Sequence, residues 1–339
     1  MENHNDESIN FGRSLIVPSV QELAKKSITK IPPRKLHTAA KEWGFFQVIN
    51  HGVSEPLLED FKREVLNFFK LPMEEKQKLW QEEDNHEGFG QLFVVSEEQK
   101  LDWCDMFYIT TLPHNLRQFQ LFQKLPPVLR DKLEAYSMEI KKLAMAILGQ
   151  MAKALGIDGE EMSELFDDGV QSMRMNYYPP CPEPESALGF TPHSDADALT
   201  ILYQLTETEG LQVRKDGKWV SVKPLPNALV VNIGDIMEII TNGVYKSIEH
   251  RAIVHSNIER LSVATFYSSS MGTELGPARS LVAQHNIANF RRVPLEEYFK
   301  GFFARKLDGK SFLDYMKVEE LKKNYEAPLN EAKGYGYHE

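Results

Sequence analysis

The sequence predicts a mixed α/β (α+β) fold, an antiparallel barrel or jelly roll preceded by a mainly helical half and closed by C-terminal helices. Three observations carry that expectation. In the first half, apolar residues recur at three- and four-residue steps, the period of a buried helix face. After about residue 170 short β-type segments follow at close spacing, separated by Gly, Pro, Asp and Asn, which argues for antiparallel strands folded on themselves. Helical patterning then returns over Leu295–Tyr325. The expected divisions are a tail over 1–14, a helical region over 15–165, the jelly-roll core over 166–270, and C-terminal helices with a tail over 271–339.

Taken in order, Ser19-Val-Gln-Glu22 has the form of a capping box, so a short helix is expected to start there. Pro32-Pro33 ends it, since proline lacks a donor and crowds the preceding turn. Leu36–Trp43 reads as a second helix broken by Gly44, and Phe45–Ile49 as a strand that stops at Asn50-His51-Gly52. Glu55–Phe69 is amphipathic, with Leu57, Leu58, Phe61, Val65, Phe68 and Phe69 on one face. Pro126–Leu155 is the longest helical stretch, and Gly156 fits its C-cap. The expected strands are Met173–Tyr178, Leu199–Gln204, Leu211–Arg214, Trp219–Val222, Ala228–Ile233, Ile248–Ile253 and Leu261–Phe266. Asp216-Gly217 supplies a hairpin turn between two of them.

The chain has 339 residues, of which 42% are hydrophobic and 26% charged, so a disordered or fibrous chain is excluded. With 39 Lys+Arg against 49 Asp+Glu, the formal charge is −10. That charge repels phosphate backbones and argues against a nucleic-acid partner. Cys104 and Cys181 are too few for a disulfide framework and suit a reducing compartment. No secretory leader and no apolar stretch of membrane-spanning length is visible. The expectation is a cytoplasmic monomer with small-molecule ligands and no membrane partner.

Chemistry concentrates in the β region. His193 and Asp195 are two apart, and on a strand such side chains share a face. His250, from a distant strand, would complete two imidazoles and one carboxylate, the facial ligand set of non-haem Fe(II) oxygenases. Ten residues later Arg260 and Ser262 again share one face. An arginine fork with a hydroxyl anchors a carboxylate, and a buried arginine without an acidic neighbour needs an anionic partner. A dicarboxylate co-substrate would meet both demands, one end chelating iron and the other reaching Arg260. Upstream, Asn176 and Tyr178 share a face at the end of Arg174-Met-Asn-Tyr-Tyr-Pro-Pro-Cys-Pro182, and both can donate to a carboxylate.

These motifs together resemble the plant 2-oxoglutarate/Fe(II)-dependent dioxygenase superfamily, in particular its senescence-related-gene-like branch, which includes the poppy O-demethylases and norcoclaurine-synthase-like proteins. Lys41-Glu-Trp-Gly-Phe-Phe-Gln-Val-Ile-Asn-His-Gly52, Gly88-Phe-Gly-Gln91, Leu101-Asp-Trp103 and Lys223-Pro-Leu-Pro-Asn-Ala228 extend the resemblance over most of the chain. It implies a double-stranded β-helix core, Fe(II) on His193, Asp195 and His250, and 2-oxoglutarate held by Arg260, Ser262, Tyr178 and Asn176. O2 is the oxidant, with ascorbate in support. Arg174 and Phe266 fall where relatives place substrate-facing side chains, whereas His51, His255 and His285 match no ligand position. The implied reaction releases succinate and CO2 while hydroxylating or O-demethylating a small plant metabolite of alkaloid, flavonoid or hormone type. Two alternatives stay open at this point: an Fe(II)/O2 oxidase that does not use 2-oxoglutarate, and a catalytically impaired binding protein on the same fold. One departure stands out. Relatives carry an apolar Ile-Pro-Val-Ile-Asp-Leu strand where Pro32-Pro33-Arg34 here runs directly into Lys35-Leu36-His37, so one N-terminal strand segment is expected to be missing, with Leu15-Ile16-Val17 available for the vacancy.

Overall fold

The apolar run after Gly44 forms the first strand of the structure, a computed structural model that describes residues 33–82, 85–94 and 100–318. Helix α1 (Pro33–Glu42) precedes it, starting at a proline whose missing N–H would have no partner in the first turn anyway. Gly44 has φ +62°, and a Cβ there would run into the Lys246 carbonyl, so the chain turns tightly into β1 (Phe45–Val48). Next come α2 (Glu55–Phe69), α3 (Met73–Gln77), β2 (Gly88–Gly90), β3 (Asp105–Leu112), α4 (Phe119–Lys124), α5 (Pro127–Leu155) and α6 (Gly159–Phe166). Gly156 ends α5 in the left-handed conformation its position called for.

The core strands are β4 (Gln171–Tyr178), β5 (Phe190–His193), β6 (Leu199–Gln204), β7 (Leu211–Lys215), β8 (Lys218–Ser221) and β9 (Leu229–Ile233). Then follow α7 (Asp235–Ile240), β10 (His250–Ala252), β11 (Arg260–Tyr267), β12 (Glu274–Leu275), α8 (Arg279–His285), β13 (Val293–Pro294), α9 (Leu295–Phe303) and α10 (Ser311–Met316). Asp216 and Gly217 both have positive φ, as a two-residue hairpin turn between β7 and β8 requires.

Two antiparallel sheets face each other. The larger runs β1-β9-β6-β11-β4-β3-β2 and the smaller β5-β10-β7-β8, the jelly roll expected from the strand spacing. The larger sheet takes three strands, β1, β2 and β3, from the half that reads as helical. Within β3, Met106, Phe107 and Ile109 are fully buried, and the strand pairs with β4 along nearly its whole length. α5 packs across this sheet, with Leu129, Leu133, Tyr136, Ile140 and Ile147 in the main core, and Phe61 of α2 stacks on Tyr136. Leu211 and Val213 of the small sheet meet Phe45 and Val230 of the large one between the layers. Among the described residues β1 is an edge strand paired only with β9. The expected tail over 1–14, the capping box at Ser19, Leu15-Ile16-Val17 and the end of the Leu295–Tyr325 helix lie outside the described residues.

Candidate active site

Strands β5 and β10 are antiparallel neighbours, and His193 and His250 are Cα partners across them. The expectation that His193 and Asp195 share a strand face is not met: His193 is the last residue of β5 and Asp195 lies in the loop that follows. The chain bends there because the Asp195 carbonyl accepts the amide N–H of Asp235, at the start of α7, at 2.8 Å. The three side chains still converge. Asp195 Oδ1 lies 3.4 Å from His193 Nε2 and 3.5 Å from His250 Nε2, and one donor atom from each residue falls within 4.8 Å of the others.

Each histidine is oriented by its own strand. His193 Nδ1 meets the Thr191 carbonyl at 2.7 Å and His250 Nδ1 the Ile248 carbonyl at 3.1 Å, so Nδ1 carries the proton and the Nε2 lone pair faces the other ligands. Burial, then the neighbouring His193, push His250 down to about 4 against the pull of Asp195, so its ring is neutral at physiological pH. Burial alone would raise the Asp195 carboxyl, but His250, His193 and Thr200 outweigh it and hold it below the usual carboxylate range. Its second oxygen, Oδ2, accepts from Thr200 Oγ1 at 2.5 Å and Asn232 Nδ2 at 2.7 Å. Sequence reasoning missed both residues. The available signal was a polar side chain set among the apolar residues of each strand, Thr200 within residues 199–202 and Asn232 in Leu229–Ile233, since buried polar groups are there to be hydrogen-bonded. A column of flat groups runs through the site: the Arg174 guanidinium 3.9 Å over the Phe190 ring, Phe190 against His193 at 4.1 Å, His193 against His250 at 4.2 Å, and Phe45 edge-on to His250 at 5.2 Å.

The residues expected to anchor a carboxylate come together where β4 and β11 pair. Their register sets Arg260 opposite Tyr178 and Ser262 opposite Asn176, so the four expected residues meet on one side of the sheet. Arg260 is 3% exposed. Its guanidinium reaches Ser262 Oγ at 3.4 Å and Gln204 Oε1 at 3.3 Å, lies 5.1 Å from the centre of the Tyr178 ring, and leaves Nε without a partner. Burial pushes the Tyr178 phenol well up, so it stays protonated and can donate. One cavity is lined by these four residues and by His193, Asp195 and His250. A buried guanidinium with an unmet donor at one end, and a carboxylate with two imidazoles at the other, fit a dicarboxylic 2-oxo acid chelating Fe(II).

A second cavity opens beside the first. Phe93, Tyr108 and Phe190, with Phe302 and Phe303 of α9, wall it, and Arg174 and Phe266 stand at the border of both cavities. Asp197 also lines it, its carboxyl pushed up to about 7 by burial although the Ser268 hydroxyl donates to it. The remaining histidines stay outside: His51 Nδ1 accepts the Val53 N–H, His255 meets the Glu209 carbonyl, and His285 ends α8. Cys181 packs with Tyr178 in a small apolar cluster.

Fold and site together define a non-haem iron oxygenase, and the family models agree. Residues 169–269 match the 2OG-Fe(II) oxygenase superfamily and 30–127 the N-terminal region described as non-haem dioxygenase in morphine synthesis N-terminal. The chain belongs to the 2OG-Fe(II) oxygenase superfamily and is a 2-oxoglutarate-dependent dioxygenase with Fe(II) as its metal. It is 51% identical to Protein SRG1 of Arabidopsis thaliana, the match covering 90% of this chain and 97% of that one. To oxoglutarate-dependent flavonoid 7-O-demethylase 1 of Ocimum basilicum it is 49% identical, over 92% and 94%. The crystal structure of JOX2 in complex with 2OG, Fe and JA superposes with a TM-score of 0.80 at 33% identity, covering 90% of this chain and 98% of that one. The alignment to Protein SRG1 runs over 348 positions, more than the whole chain has residues, while taking in 90% of it. Several tens of positions of that relative therefore have no counterpart here, in keeping with a missing segment. Among the described residues no helix is long and apolar enough to cross a membrane.

Proposed function

We propose that this dioxygenase hydroxylates or O-demethylates a flat, aromatic, oxygen-bearing metabolite of plant specialised metabolism. The observation that carries the reading is the second cavity, whose phenylalanine walls open directly onto His193 and Asp195. Aromatic walls favour stacked or edge-on ring contacts. Arg174, which has no hydrogen bond to its Nε and lies at the border of the two cavities, is the donor for a substrate oxygen, and Phe266 packs on the ring beside it. The similarity to a flavonoid 7-O-demethylase supports the same substrate shape.

On this reading His193, Asp195 and His250 hold iron, Arg260 and Ser262 take the distal carboxylate of 2-oxoglutarate, and Tyr178 and Asn176 line its flank. Bound iron, 2-oxoglutarate and O2 together supply the oxidant, releasing succinate and CO2. The chain's own groups set the rest: the His250 imidazole stays neutral, Oδ2 of Asp195 is kept occupied by Thr200 and Asn232, and the phenylalanines exclude water from the reacting carbon. Hydroxylation of a methoxyl carbon gives a hemiacetal that loses formaldehyde. The protein acts as a monomer, and in the cytoplasm, a reducing compartment that suits its two buried free cysteines. The test incubates purified protein, Fe(II), 2-oxoglutarate and ascorbate with a panel of methoxylated flavones and alkaloids. Substrate-dependent succinate is expected with at least one compound, accompanied by an equal amount of formaldehyde where a methyl group is removed and by the hydroxylated product where it is not. Succinate at the same rate with and without every substrate, across an untargeted plant extract as well, would overturn the reading.

A further inference from the structure

The Leu101-Asp-Trp103 segment belongs to the N-terminal half, well before the iron-binding strands in sequence, yet it grips the strand that carries the first of the three ligands. Asp102 Oδ1 accepts two hydrogen bonds from one residue of β5, the Thr191 backbone N–H at 2.9 Å and the Thr191 hydroxyl at 2.7 Å. The carbonyl of that same Thr191 accepts from His193 Nδ1 at 2.7 Å. Pro192, between them, keeps the backbone in an extended range. Trp103 tightens the grip. Its backbone N–H donates to the Leu188 carbonyl at 2.8 Å and its indole N–H to the Pro179 carbonyl at 3.2 Å, on either side of the turn leading into β5.

We propose that Asp102 is a positioning residue of the iron site, acting through Thr191 to fix the proton on Nδ1 of His193 and the plane of its ring. The two bonds to one carboxylate oxygen fix the amide and the side chain of Thr191, and the following Pro192 confines the ψ angle that aims its carbonyl. An imidazole whose Nδ1 proton is held in place offers Nε2 to a metal without first turning or exchanging its tautomer; direct partners of a ligating histidine contribute about 10- to 100-fold in metal affinity, and Asp102, one bond further out, acts on that term through the Thr191 carbonyl. His250 has no such hydrogen-bonded link: its Nδ1 partner, the Ile248 carbonyl, lies within the jelly roll, and the N-terminal half meets this histidine through the Phe45 ring. Asp102 thus gives His193 a hydrogen-bonded link to the N-terminal half that His250 does not share.

The test uses Co(II)-substituted full-length protein. The Nδ1 protons of metal-bound histidines give separate, strongly shifted exchangeable proton resonances, assignable here by through-space contacts to Phe190 for His193 and to Phe45 for His250. In Asp102→Ala the His193 resonance is expected to move and to exchange faster with solvent while that of His250 stays. Co(II) binding should weaken by about tenfold or more. Asp102→Asn, which keeps an oxygen acceptor, should restore most of the affinity, and Thr191→Val, which removes only the hydroxyl, should fall between. If Asp102→Ala does not fold, the Asn and Val variants carry the same comparison. An unchanged His193 resonance, or equal shifts at both histidines, would overturn the proposal and leave Asp102 a purely structural clamp.

Discussion

Replacing Arg260 by lysine separates charge from geometry at the proposed co-substrate anchor. The guanidinium is buried, its nearest polar neighbours are a hydroxyl and an amide oxygen at 3.4 and 3.3 Å, and Nε has no partner. Those contacts are long and neutral, so most of the fork's bonding capacity is free for an anion. Lysine keeps the positive charge but loses the planar fork. A charge-assisted hydrogen bond contributes about 1.5–3 kcal/mol, so losing one should raise the apparent KM for 2-oxoglutarate roughly 10- to 150-fold. Iron binding should hardly change, because Arg260 is not among the three ligands. Gly210→Ala offers an independent route to the same outcome: a Cβ at that position would stand 2.6 Å from Arg260 Cδ and 3.0 Å from Nε, displacing the fork without altering its chemistry. Steady-state succinate formation gives the KM, and anaerobic Fe(II) titration gives the metal affinity. An unchanged KM in Arg260→Lys, or a loss of iron affinity as large as the loss of co-substrate affinity, would refute the assignment.

Further outcomes are expected at the metal. His193→Ala and His250→Ala should each abolish turnover and the visible charge-transfer band that anaerobic Fe(II) and 2-oxoglutarate give in the parent; an equally strong band in His250→Ala would refute the three-ligand site. Thr200→Val keeps the side-chain volume but removes a donor to Asp195 Oδ2, so iron affinity should drop about tenfold or more with a small change in Tm, and equal affinity in metal titrations would show that the hydroxyl does not hold the carboxylate. For pH, His250 is lowered from 6.5 to about 4 in the folded chain, so between those values the unfolded chain takes up a proton that the folded one refuses. Its contribution to the metal-free protein is therefore lost as pH falls from about 6.5 to 4, on the order of 3 kcal/mol. Urea unfolding at a series of pH values reads it, by comparison with His250→Phe, whose stability should lack that component.

The candidate site residues were more legible in the sequence than their arrangement. The pairs Asn176/Tyr178 and Arg260/Ser262 each announce a shared strand face through their spacing, and the structure keeps both faces. That the two strands are neighbours, in the register that sets Arg260 against Tyr178, depends on long-range pairing that no local pattern encodes. Asp195 departs from the strand rule because a backbone bond to Asp235, forty residues on, draws it out of β5. β3 was hidden for a related reason. Buried on both faces between β2 and β4, Asp105–Leu112 shows no clean alternation, and it lies among helices that dominate the periodicity of that half.

The edge position of β1 bears on how this enzyme ages. Four residues long and paired on one side among the described residues, it is the kind of element that frays at low free energy while a barrel stays shut. Phe45 is the Cα partner of Asn232 and its ring leans on His250, so each opening of β1 removes a wall from one ligand and disturbs the strand that steadies another. Warm storage would then cost the protein its iron before it cost the protein its fold. Half-life would be governed by a short strand at the rim, and adding metal back would revive catalysis in samples that still melt as a single cooperative unit.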